Sequence, residues 1–133
     1  MFISNLDTEK QKAFLNLAYT MIYADGRLDP SEKKLFYSYM PEVDVDLSES
    51  HKVDFKEELA VFANCKVEEK LGVFYELYAL ALVDKVYAKE EKILIDIAQE
   101  YFGITEEKMR EMRDGLQKLI SIQDELRKIV YSD

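Results

Sequence analysis

The sequence predicts an all-α protein: a compact orthogonal bundle of about six or seven helices that contains an internal helical-hairpin repeat. Apolar residues recur at helical spacing along most of the chain. Only four glycines and two prolines are present, too few for the turns of a many-stranded sheet. The length of 133 residues, with 48% apolar residues, fits a single domain over 1–133 with one hydrophobic core.

A first helical hairpin is predicted over about 8–40. Its first helix, 8–24, carries a stripe of apolar residues: Ala13, Phe14, Leu17, Ala18, Met21 and Ile22. Asp7 or Thr8 can cap the start, and Gly26 can take the left-handed conformation at the end. In the second helix Asp29 is a good N-cap, Pro30 suits the first position, and Glu32 completes an Asp-x-x-Glu capping box. Pro41 is expected to end this helix.

An acidic linker, 41–51, and a short helix over about 52–62 are expected next. Within residues 42–58 there are seven acidic residues and two lysines, a net charge of −5. Such a segment is either a solvated loop and helix face or an attachment surface for cations or a basic partner.

A second hairpin is predicted over about 67–104. Its first helix, 67–83, is apolar around most of its circumference, which predicts the most buried element. Gly72 inside it is explained if a neighbouring helix crosses closely there. The second helix covers 89–102, and Gly103 ends it.

A last helix over about 105–131 is expected, with Thr105 as its cap and Gly115 as a place where it kinks or splits. Its apolar residues follow 3-4 spacing, a pattern that serves either a core or a homodimer interface. They are Met109, Met112, Leu116, Leu119, Leu126 and Val130.

The two hairpins match one another with an offset of 59 residues. The identical pairs are Tyr19/Tyr78, Asp25/Asp84, Glu32/Glu91, Lys33/Lys92 and Leu35/Leu94. The apolar pattern also agrees, at Ala18/Leu77, Met21/Leu80, Ile22/Ala81 and Phe36/Ile95. A duplicated helix–acidic loop–helix unit is the economical interpretation.

Composition and charge exclude several classes of function. The net charge of −9 disfavours binding to nucleic acid, because an acidic surface repels the phosphate backbone. The longest apolar stretch, 71–83, is too short to span a membrane, and the first residues do not resemble a secretory signal. A single cysteine, Cys65, fits a reducing compartment, so a cytoplasmic location is expected.

No catalytic constellation is recognisable. His51 is the only histidine and lies in the acidic linker, and no base accompanies Cys65. Phosphate-binding glycine loops and zinc-ligand spacings are absent. The sequence therefore favours a binding protein over an enzyme.

The doubled pattern resembles the tellurite-resistance TerB family, whose domain type also occurs at the front of some membrane-anchored DnaJ-type co-chaperones. "ADGRLDPSEKKLF" and "VDKVYAKEEKILIDIAQEYFGI" carry the resemblance, which covers about residues 8–104 and extends to the last helix. Lys85 stands where the family often has a glycine. The resemblance implies a helical bundle linked to stress, tellurite or phage resistance, with metal chelated at Asp25, Glu32, Asp84 and Glu91.

Two explanations of these four acids stay open. Acidic residues at a helix start accept backbone N–H groups and interact favourably with the helix dipole, so helix capping alone accounts for them. Carboxylates without histidine or cysteine also suit the hard cations Ca²⁺, Mg²⁺ and Mn²⁺. An EF-hand is excluded, because Pro30 and Phe36 occupy the loop positions that need glycine and glutamate.

The leading expectation is a non-enzymatic TerB-like module that binds a protein partner in a stress-response or membrane-associated assembly, together with a divalent cation. The alternative is a structural adaptor without metal, which holds a basic partner through the acidic segment or associates through the last helix.

Overall fold

The computed structural model describes residues 2–24, 26, 30–83 and 89–132. Within these residues the chain forms six α-helices and no strand, which confirms the all-α class. They are α1 (Thr8–Ile22), α2 (Pro30–Tyr37), α3 (Phe55–Leu59), α4 (Val67–Leu82), α5 (Lys89–Phe102) and α6 (Glu106–Tyr131). Short 3₁₀ helices occupy Met40–Glu42, Leu47–Glu49 and Ala60–Phe62.

The chain divides into two compact units, Met1–Gly103 with α1 to α5 and Ile104–Asp133 with α6. A single domain over 1–133 stays a prediction. In the first unit, α1 packs against α2, α3, α4 and α5, and α4 packs against α1, α2 and α5. Each hairpin's first helix thus contacts the second helix of both hairpins.

Burial follows the predicted repeat. The apolar pairs Ala18/Leu77, Met21/Leu80, Ile22/Ala81 and Phe36/Ile95 are buried at both members. Burying equivalent positions of two hairpins against one another removes both apolar faces from water, which is the dominant favourable term in folding. Matched residues of the two hairpins therefore form part of the core of the first unit, and Ile3, Leu59 and Phe62 from outside the hairpins are also buried in it.

Helix ends agree with the predicted signals where the structure describes them. The side chains of Asp7 and Thr105 accept hydrogen bonds from the backbone N–H groups of Lys10 and Lys108. Gly26 and Gly103 have φ angles of 77° and 68°, in the left-handed region that favours glycine. Asp29, the predicted cap of α2, lies outside the described residues.

Three local predictions are wrong. The helix α2 ends at Tyr37 rather than near residue 40, because Pro41 has no N–H for the Tyr37 carbonyl and the chain tightens into 3₁₀ bonds such as Tyr39 N–H to Phe36 O. The linker 41–51 contains the 3₁₀ helix Leu47–Glu49 and most of the 3₁₀ helix Met40–Glu42. The helix predicted over 52–62 begins at Phe55, because Asp54 is its cap and accepts from the Glu57 N–H.

The third concerns Gly72. The close neighbour of Gly72 is Phe2 in the N-terminal segment, not a crossing helix: a Cβ on Gly72 would lie 3.0 Å from the Phe2 Cβ. Of the two outcomes expected at Gly115, a kink or a split, the structure excludes the split, because α6 is continuous over 26 residues. An isolated glycine costs only about 1 kcal/mol in a helix, and the flanking turns carry the helix across it.

Candidate functional site

Glu32 and Glu91 occupy equivalent places in the two hairpins, in the first turns of α2 and α5. Each side chain is only 3% exposed. The fold therefore carries two buried carboxyl groups at matched helix starts. Asp25 and Asp84, the other two predicted site residues, lie outside the described residues, as does Lys85.

Burial sets these two glutamates apart from the other acids at helix starts. The neighbouring Glu90 is exposed in the same turn as Glu91. Further exposed first-turn acids are Glu9, Glu57, Glu68, Glu106 and Glu107. Interaction with the helix dipole is available to an exposed carboxylate, so it does not require burial. A buried carboxylate is costly unless hydrogen bonds or a cation compensate it.

The one capping box that the described residues display uses a more exposed glutamate. The Glu69 side chain accepts a hydrogen bond of 3.3 Å from the Lys66 N–H at the start of α4. Glu69 also forms an ion pair of 3.3 Å with Lys10 of α1. The pKa of Lys10 is raised, chiefly by the hydrogen bond that its amino group donates to the Glu69 carboxylate.

Among the described residues, no group of three or more His, Cys, Asp or Glu side chains is arranged to hold a metal ion. The four predicted ligands include Asp25 and Asp84, which that part of the chain does not contain. The structure therefore gives the position of half of the predicted set, Glu32 and Glu91.

The acidic segment 42–58 is held against α1 through its backbone. Three polar residues of α1 accept hydrogen bonds from the segment's N–H groups: Gln11 from Asp44, Asn16 from His51 and Thr20 from Val53, at 3.0–3.1 Å. Asp44, Asp46 and Glu49 are exposed. Glu58 adds a contact through its side chain, because its carboxylate accepts a hydrogen bond of 2.8 Å from the Asn16 side-chain amide.

A small cavity lies where this segment meets α1, with a volume of about 120 Å³. Leu15 and Val45 give it apolar walls, and its other lining residues are Lys12, Asn16, Asp46, Glu49, Ser50 and His51. The His51 ring nitrogen Nδ1 lies 3.1 Å from the Glu49 carbonyl oxygen.

A third buried acid, Glu76, was not singled out from the sequence. Glu76 of α4 is 5% exposed, and burial raises its pKa, with the Glu42 carboxylate adding to the effect. The pKa of the adjacent Tyr39 phenol is raised well above its usual value by burial and by Glu76 and Glu42. The repeat could have indicated that Glu76 is buried, because its equivalent in the first hairpin, with the offset of 59 residues, is the apolar Leu17.

The polar residues of α1 were also missed. Gln11, Asn16 and Thr20 interrupt the apolar spacing of a helix that is otherwise core, and Gln11 is almost fully buried while donating to the Leu6 carbonyl oxygen. Polar side chains on a buried helix face indicate hydrogen bonds to a neighbouring backbone.

Comparisons with known proteins give no relative: no protein-family model, curated protein or solved structure matches this chain. No helix among the described residues combines the length and apolar character that crossing a membrane requires.

Proposed function

We propose that this protein is a TerB-like, non-enzymatic binding module that holds a divalent cation, Ca²⁺, Mg²⁺ or Mn²⁺, through its two acidic hairpin loops. The ligands are Asp25 and Glu32 from the first hairpin and Asp84 and Glu91 from the second. The link to stress-response or membrane-associated assemblies comes from the resemblance of the hairpin motifs and belongs to the same proposal.

The observation that supports cation binding is the paired burial of Glu32 and Glu91. Both belong to a repeated Asp-x₆-Glu spacing, and both are buried, whereas the other first-turn acids of the described helices are exposed or only partly buried. Oxygen ligands of this kind suit hard cations, which take carboxylates at 2.0–2.6 Å. A bound cation offsets the cost of removing two carboxylates from water.

Isothermal titration of the metal-stripped protein with Ca²⁺, Mg²⁺ and Mn²⁺ tests this proposal. We expect binding of at least one ion, and a melting temperature that rises with its concentration, because a ligand at about 100 times its Kd stabilises the native state by about 2.7 kcal/mol. Glu32→Gln combined with Glu91→Gln should abolish the metal-dependent rise, and so should Asp25→Asn with Asp84→Asn.

Glu90→Gln is the matched control, since Glu90 is exposed in the same turn as Glu91 and should bind metal like the wild type. The capping explanation predicts a different result: the glutamine variants melt lower in the presence and absence of metal by equal amounts. No heat and no melting shift at millimolar concentrations of all three ions would refute cation binding.

A second candidate function is a structural adaptor that holds a basic protein partner without metal. The exposed Asp44, Asp46 and Glu49 support it, because α1 fixes the backbone that carries them. A fixed array of like charges attracts a basic partner without first being ordered.

A further inference from the structure

The cavity between α1 and the acidic segment has the size of a single side chain, with a volume of about 120 Å³. Its most buried lining residue is Leu15 of α1, which is 1% exposed, and Val45 of the segment is half-buried. An apolar cavity of about 150 Å³ can hold benzene, a six-carbon molecule. By that comparison the cavity has room for the four-carbon side chain of a leucine.

The exposed residues of the lining are charged or ionisable: Lys12, Asp46, Glu49 and His51. They border the mouth of the cavity, since the more buried lining residues form its floor and walls. With His51 neutral, two carboxylates and one ammonium group give the lining a net charge of −1. The surrounding residues 42–58 carry a net charge of −5, so the mouth attracts a cationic group rather than an anion.

The mouth is also held in place by hydrogen bonds. The Asn16 side chain accepts a bond of 3.1 Å from the His51 N–H, which fixes the backbone of the segment. The Asp46 carboxylate accepts a bond of 2.9 Å from the Ser48 N–H, and this bond lowers the pKa of Asp46, so the group is charged at neutral pH. A pocket that is already ordered costs less to bind into than one that must first be ordered.

We propose that this cavity is the anchor site for a basic protein partner. The partner inserts one aliphatic side chain of leucine size between α1 and the acidic segment, and its neighbouring lysines or arginines lie on Asp46 and Glu49. The proposal rests on the adaptor function, because it names the feature by which the basic partner is recognised. The aliphatic anchor supplies affinity by leaving water, and the charged rim selects a basic sequence around it.

Fluorescence anisotropy at low salt, with the full chain and three labelled peptides, tests the proposal. The first peptide has one leucine between two runs of three lysines, and the second has alanine in place of the leucine. We expect the leucine peptide to bind about tenfold tighter, because leucine has three more carbons to bury. The third peptide keeps the leucine between two runs of glutamate and should not bind, because its charge matches that of the rim.

Filling the cavity should remove the preference for leucine. Val45→Phe enlarges a lining residue, so this variant should bind the leucine and alanine peptides equally. Ser50→Leu fills the cavity from another lining position and should act in the same way, and circular dichroism checks that each variant is folded. Val67→Phe is the matched control: Val67 is 67% exposed at the start of α4, does not line the cavity, and its variant should keep the tenfold preference.

The outcomes separate the anchor site from the adaptor function. Equal binding of the leucine and alanine peptides to the wild type would overturn the anchor site and leave the adaptor function standing. A preference for leucine that survives in both Val45→Phe and Ser50→Leu would overturn the cavity as the place where the side chain binds. If neither lysine peptide binds at low salt, the adaptor function and the anchor site are both refuted.

Discussion

At the scale of single residues, Glu76 marks a difference between the two predicted hairpins. With the offset of 59 residues it takes the place of Leu17, so one hairpin buries a leucine where the other buries a carboxyl group. Its pKa is raised chiefly by burial, and the negative charge of the Glu42 carboxylate adds to the effect. Folding therefore favours the protonated form of Glu76.

This gives a pH dependence with a definite sign. Since the pKa of Glu76 is higher in the folded state than its ordinary value of 4.5, its contribution to stability is fully present below pH 4.5 and is lost as the pH rises through the raised value. We expect Glu76→Gln to be more stable than the wild type at neutral pH. The difference should shrink as the pH falls toward 4.5.

Urea unfolding of both proteins across this pH range measures the difference. Glu100→Gln provides the control, because Glu100 is exposed and its variant should track the wild type at every pH. A difference between the wild type and Glu76→Gln that does not change with pH would contradict the raised pKa.

At the scale of helices, most element positions followed from the sequence. Apolar spacing and end signals gave α1, α4, α5 and α6 to within about two residues, because these helices are long and their periodic pattern is strong. The shorter elements were less predictable. Pro41 acts on a carbonyl four residues back, which ends α2 early, and Asp54 rather than apolar spacing sets the start of α3.

The two helical glycines provide a prediction at this scale. Gly115→Ala should stabilise α6 by roughly 0.5–1 kcal/mol, because alanine is the better helix former and a Cβ there meets nothing within 4 Å. Gly72→Ala should gain less, since its Cβ would push Phe2 out of its edge-to-face contact with Tyr75.

Thermal and urea unfolding of a double-mutant cycle separates the two effects. In a Phe2→Gly background the obstructing Cβ is gone, and Gly72→Ala should then recover the full gain of about 1 kcal/mol. Equal gains from Gly72→Ala in both backgrounds would show that Phe2 does not oppose a side chain at position 72.

At the scale of the whole molecule, the repeat made the positions of two of the four predicted site residues predictable. The identities Glu32/Glu91 pointed to equivalent helix starts, and the structure has both there. Their burial was not predictable, because it depends on how neighbouring helices cover each helix start rather than on local sequence. The burial of Glu76 was unpredictable for the same reason, and so were the hydrogen bonds that side chains of α1 accept from the acidic segment.

Charge distribution leads to a prediction that tests the adaptor function. The net charge of −5 on residues 42–58 should retain the protein on an immobilised oligolysine peptide at low salt. The protein should elute as the salt concentration rises, because salt screens the attraction. Asp44→Asn, Asp46→Asn and Glu49→Gln together should lower the eluting salt concentration. The matched control neutralises Glu106, Glu107 and Glu111, exposed acids of α6, and should elute closer to the wild type. Equal elution of the two triple variants would refute a role for the acidic segment.

The ion pair between Lys10 and Glu69 has a consequence for how hairpins recognise one another. The two residues are separated by the repeat offset of 59, so they occupy equivalent positions of the two predicted hairpins. Two first hairpins brought together in this way would oppose lysine to lysine, and two second hairpins would oppose glutamate to glutamate. The opposite charges at this one position therefore favour packing of the first hairpin against the second over packing of either hairpin against a copy of itself.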